Sequence, residues 1–80
     1  MVTILLFAGL AEAAGAPSVE LELALPARVS EARKALAERI PAAAERLSAC
    51  IAAVNHEFAG DEAWIRPGDE VAFLPPVSGG

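Results

Sequence analysis

A chain of 80 residues with a net charge of −5 makes one domain that buries only a little over roughly 60% of its unfolded surface, and its acidity argues against nucleic acid or an anionic membrane as partner, since both select a basic face. The apolar fraction of 55% includes nineteen alanines, so the core must come from the Val, Leu, Ile and Phe positions. A single cysteine, Cys50, excludes an internal disulfide and suits a reducing compartment.

In chain order, Val2 to Ala8 reads as a strand apolar on both faces, with Ile4 and Leu6 on one side and Leu5 and Phe7 on the other. Such a strand belongs in the middle of a sheet. The stretch to Ala16 is apolar and ends in small residues, but no Lys or Arg precedes it and Glu12 interrupts it, so a signal sequence is not expected. No run approaches the roughly 18 apolar residues of a membrane span, and a cytoplasmic protein is expected. Gly9 to Ala16 is a turn region with a helical turn through Leu10–Ala13, closed by Gly15 and Pro17. Ser18 to Leu25 alternates cleanly, Val19, Leu21, Leu23 and Leu25 against Glu20, Glu22 and Ala24, which predicts a half-buried strand near an edge, antiparallel to the first and ended by Pro26.

Ser30 is placed to cap a helix with Glu31 in its first turn and Ala32, Leu36 and Ile40 as its apolar stripe. Pro41 ends that helix and opens a second, shorter one through Ala42–Leu47. Cys50 to Val54 reads as a third strand, with Cys50 as a small core residue rather than a reactive thiol, and Asn55 suits a turn. A poorly patterned segment carries Phe58 and Trp64. Pro67-Gly68-Asp69 turns the chain into a last strand, Glu70 to Leu74.

At Pro75-Pro76 the missing N–H groups stop the ladder and the fixed φ sets an extended spacer. Val77, Ser78, Gly79 and Gly80 follow, so residues 1–74 are expected to form the domain and 75–80 a flexible tail. Two terminal glycines fit a channel too narrow for a Cβ, and six extended residues reach at most about 20 Å. The rest of the chain carries little chemistry: one histidine, His56, read as a surface turn residue, no phosphate loop and no metal-binding cluster. Glu57, Asp61, Glu62, Asp69 and Glu70 read as solvated loop charges. The isolated chain is not expected to be an enzyme.

The run from Gly68 through Phe73-Leu74-Pro75-Pro76 to Gly79-Gly80, with Leu5-Leu6-Phe7-Ala8 near the start and Ala53-Val54-Asn55 between, resembles the small, sulfur-carrying subunits of molybdopterin synthase across essentially the whole chain. The resemblance implies an α+β, ubiquitin-like β-grasp, in which the first and last strands lie parallel at the centre of a mixed sheet under one main helix. The element order is consistent with that arrangement, and one helix can cover only one face, which leaves apolar surface for another protein. The resemblance further implies that an ubiquitin-activating-like adenylyltransferase uses ATP to adenylate Gly80, and that a sulfurtransferase or cysteine desulfurase supplies the sulfur of a thiocarboxylate. The tail then enters the large subunit of a heteromeric synthase to build the dithiolene on cyclic pyranopterin monophosphate. No cofactor and no metal are expected on this chain. Gly80 would be the acyl carrier, Gly79, Ser78, Val77, Pro76 and Pro75 would line the partner's tunnel, and Leu74 and Phe58 would face the large subunit. Related readings with the same fold and tail are a carrier for thiamine or tRNA thiolation and a protein modifier; a non-reactive β-grasp interaction module is the reading from a different class.

Overall fold

The computed structural model describes residues 1–76. Val2–Leu6 forms strand β1, Gly9–Ala14 helix α1, Ser18–Leu21 strand β2 and Ala27–Arg28 the two-residue strand β3. Val29–Arg39 is the main helix, α2; a 3-10 turn over Pro41–Ala43 leads into α3, Ala44–Ala49. Strands β4 (Ile51–Val54), β5 (Glu57–Ala59), β6 (Trp64–Ile65) and β7 (Val71–Leu74) complete the order.

The main sheet runs β2-β1-β7-β4-β5, with β1 and β7 parallel at its centre and every other pair antiparallel. This is the β-grasp arrangement. The register Ile4↔Val71 and Leu6↔Phe73 sends those four side chains to one face, where α2 and α3 cover them. Phe73, Ile4, Leu36, Leu47, Ile65, Val29 and Val71 are the largest side chains fully removed from water, and burial of each contributes roughly 1.5–3 kcal/mol.

The alternation after Ser18 outlasts its strand. In the antiparallel register Val2 faces Leu21, so β1 offers no residue to pair beyond Leu21 and the ladder stops. Leu23 and Leu25 still pack against the core from an irregular segment, and the chain resumes as β3, which pairs with β6 through Ala27↔Ile65 and Arg28↔Trp64. The first strand also ends early, at Leu6, because Ala8 turns the chain at φ 51°, ψ −127° into α1. Gly15, at φ 74°, closes α1 in the left-handed region that glycine enters without strain.

Ser30 is not the cap of α2. The helix starts two residues earlier, with Arg28 at the cap position and no side-chain cap bond. The amides of Val29 and Ser30 donate instead to the carbonyls of Ala63 and Asp61, at 3.0 Å each, so main chain from the distant loop satisfies donors that a serine hydroxyl would otherwise take. Pro41 acts as expected, opening the 3-10 turn just after α2 ends. Among the described residues no helix is long and apolar enough to cross a membrane.

Candidate docking face and tail exit

The face of the sheet opposite α2 is built from the residues that alternate with the core. Leu5 pairs with Ala72, Ala72 with Ala53 and Ala53 with Phe58, which makes one row across four strands. Two alanines in the middle of that row, between Leu5 and the aromatic ring of Phe58, leave a shallow recess whose walls Phe7 and Leu74 complete. Phe58 is 78% exposed and Phe7 43%. Phe58 is therefore no core residue, although the chain around it forms a strand that its irregular patterning concealed. Leu74 is half-buried on the open face beside Ile51, while its neighbour Phe73 is fully buried on the other.

Strand β7 delivers the chain to this face and then releases it. Pro75 and Pro76 are exposed and belong to no regular element. Val77, Ser78, Gly79 and Gly80 lie outside the described residues.

One corner of the recess is polar and tightly wired. Asn55 and His56 take φ 53° and 69° in the two-residue connection of the β4–β5 hairpin, where Val54 pairs with Glu57. The Asn55 amide N–H donates to the Glu70 carbonyl (2.8 Å), the Glu70 N–H donates to Asn55 Oδ1 (3.0 Å), and Asn55 Nδ2 donates to Asp69 Oδ1 (3.0 Å). Asp69 Oδ2 also accepts the Arg66 N–H at 2.8 Å. These bonds favour the ionised form, the Arg66 amide first and the Asn55 amide second, and hold the Asp69 carboxyl below its usual range. His56 Nε2 lies 3.1 Å from Glu70 Oε1, and its side chain is 85% exposed, as expected of a surface turn residue.

Three of the five acidic residues read as solvated loop charges thus have defined partners. Asp69 organises the corner, Glu70 pairs with His56, and Asp61 accepts Arg33 Nη2 at 3.0 Å. Arg33 is the hub on the covered side. Its guanidinium donates to the carbonyls of Leu47 and Cys50 and stands 5.2 Å over the Phe73 ring, tying α2, α3 and the start of β4 together. Cys50 is buried beneath it. Burial pushes its thiol pKa up against a weaker opposing pull from Arg33, so the sulfur stays protonated near neutral pH and is a poor nucleophile. Among the described residues no three His, Cys, Asp or Glu side chains gather as metal ligands.

The geometry has close counterparts. The ThiS family matches residues 4–80. The molybdopterin synthase sulfur carrier subunit of Arabidopsis thaliana is 32% identical over 79 residues, covering 99% of this chain and 82% of that protein. The human protein of the same name is 34% identical over 82 residues, with 99% and 93% covered. Among solved structures, SAMP1 from Haloferax volcanii superposes with a TM-score of 0.86 at 34% identity, covering 99% of this chain and 98% of its own.

Proposed function

The chain belongs to the ThiS family, and from that premise we propose that it is the sulfur carrier subunit of a molybdopterin synthase. The observation that carries the reading is the position of β7: it ends at Leu74 on an exposed apolar face and continues, in sequence, through Pro75-Pro76 to Gly79-Gly80. A partner that covers that face therefore lies beside the exit of the tail. Whole-length similarity to proteins named as sulfur carrier subunits supports the same reading.

In this mechanism the Gly80 carboxylate oxygen attacks the α-phosphorus of ATP on an adenylyltransferase, and pyrophosphate leaves. A sulfide-level donor then attacks the acyl carbon, the bond to AMP breaks, and the thiocarboxylate remains. On the large subunit the terminal sulfur attacks an oxygen-bearing carbon of the pterin side chain, the carbon–oxygen bond there breaks, and the oxygen substituent leaves. Water cleaves the acyl carbon–sulfur bond and returns Gly80 to a carboxylate for the next cycle. Residues 75–80 act as the tail, Gly79 contributing slenderness and Val77 and Ser78 lining the partner's channel. Nothing in this sequence of steps needs Cys50.

A protein-modifier role is the second reading, favoured by the similarity to SAMP1, small archaeal modifier protein 1. Intact-mass spectrometry after incubation with ATP, sulfide and the adenylating enzyme separates the two. A carrier gains one sulfur in place of oxygen and passes it to the synthase, and a modifier accumulates amide-linked adducts. Deleting Gly80 is expected to abolish the mass change and leave the melting temperature nearly unchanged, because the core of the described residues is complete by Phe73. A deletion variant that still supports molybdopterin formation would rule the carrier mechanism out.

A further inference from the structure

Burial of Leu5, Phe58 and Leu74 can hold a partner on the open face but cannot orient it, because apolar burial has no direction. Among the described residues that line the recess, only His56 and Glu70 carry polar side chains. We propose that Glu70 is the orienting contact of the docking face, its carboxylate receiving an arginine or lysine of the synthase large subunit, with His56 as the residue that positions that carboxylate. The inference rests on the carrier reading above and adds the chemistry of the partner's matching residue.

The backbone supplies the first argument. His56 sits at φ 69°, second in a two-residue hairpin connection where Asn-Gly would be the relaxed choice. Its imidazole packs into no core, being 85% exposed, so stability does not account for a side chain at that position. What the imidazole does reach is Glu70 Oε1, at 3.1 Å.

Rigidity supplies the second. The main chain of Glu70 is held on both sides by Asn55, through its N–H and its carbonyl, and Asn55 is held in turn by Asp69. A carboxylate mounted on so fixed a backbone can specify direction. Charge supplies the third. Asp69 and Glu70 adjoin at this corner of a chain with net charge −5, with Arg66 beside Asp69. The Asp69 carboxylate is committed to the Arg66 N–H and to Asn55, whereas the Glu70 side chain meets only the exposed imidazole among the described residues. A cationic side chain is the complement, and burial of the surrounding apolar surface would strengthen the pairing.

The test is calorimetric titration of the full chain with the large subunit of the same organism, at low and high salt, for Glu70→Gln, Glu70→Asp, His56→Gly and Leu74→Asp. The expected result is a Kd raised about tenfold in Glu70→Gln, with the salt dependence of binding lost, and a smaller loss in Glu70→Asp. His56→Gly should melt higher than the natural chain while binding more weakly, an opposition that a purely structural role would not produce. Unchanged binding by Glu70→Gln and His56→Gly beside a weakened Leu74→Asp would overturn this inference and leave the carrier reading intact. Unchanged binding by all four would remove the docking face itself.

Discussion

Phe73 and Leu74 are adjacent residues of one strand, and they belong to two different parts of the protein. On the covered face, Phe73 lies under Arg33 among Ile4, Val71 and Leu36 and is fully buried. On the open face, Leu74 stands half-buried beside a recess floored by alanines. Side-chain alternation in a strand separates the two roles with no intervening residue. One face carries the stability of the domain and the other is left available for association.

The comparison is broken most severely by Phe73→Ala. Removing a fully buried ring should cost about 3–5 kcal/mol, a large share of what an 80-residue domain has to lose, and urea titration would register it as a lower midpoint or no transition at all. Leu74→Asp should do the reverse. Stability should fall by less than about 1 kcal/mol, since the new charge can reach water, while affinity for the large subunit drops tenfold or more, about 1.4 kcal/mol. Paired melts and binding isotherms would check this, and a Leu74→Asp variant that unfolds like Phe73→Ala would show that the faces are not separable.

The smallest effect concerns the corner that joins the faces. Because folding holds the Asp69 carboxyl below its usual range, the ionised form stabilises the native state. That contribution is complete above the unfolded carboxyl range, near pH 4, and is lost as pH falls through the lower native value. Asp69→Asn should therefore lose less thermal stability than the natural chain between pH 5 and pH 2, and parallel melts of equal slope would contradict it.

The elements that were legible in the sequence are those whose side chains alternate between water and core. Ile4 and Leu6 against Leu5 and Phe7, Val19 and Leu21 against Glu20, and Phe73 against Leu74 all report their faces correctly. The stripe of Ala32 and Leu36 marks α2. The segment from Glu57 to Ile65 was opaque for a physical reason: its strands are two or three residues long, and Phe58 and Trp64 point outward, opposite to the usual rule for aromatic side chains. Trp64 is 43% exposed and takes the Arg28 guanidinium over its ring at 4.4 Å, a pairing that no periodicity encodes. The one available signal is Asn55-His56 between Ala52-Ala53-Val54 and Glu57-Phe58-Ala59, the spacing of a tight hairpin. The extent of β2 and the start of α2 differ from the sequence expectation because each is decided by a partner distant in sequence: the length of β1 in one case, the carbonyls of Asp61 and Ala63 in the other. Phe58 and Leu74, assigned by resemblance to one contact face, do stand on the same recess.

The parallel pairing of β1 with β7 also governs how the protein comes into being on the ribosome. The two central strands are the first and last of the described elements, so β2 has a neighbour early in synthesis, but the middle of the sheet stays vacant until β7 has emerged. Until then Ile4 and Leu6 lack Val71 and Phe73, and the helices have only a partial surface to cover. Closing that gap joins nearly the full length of the chain in one late, non-local step, which favours slow, all-or-none folding over gradual assembly. The strand that completes the sheet is the same one that leads into Pro75-Pro76. A nascent or truncated chain lacking β7 therefore lacks Ala72 and Leu74 of the open face, and the segment that follows them has no folded sheet to leave from.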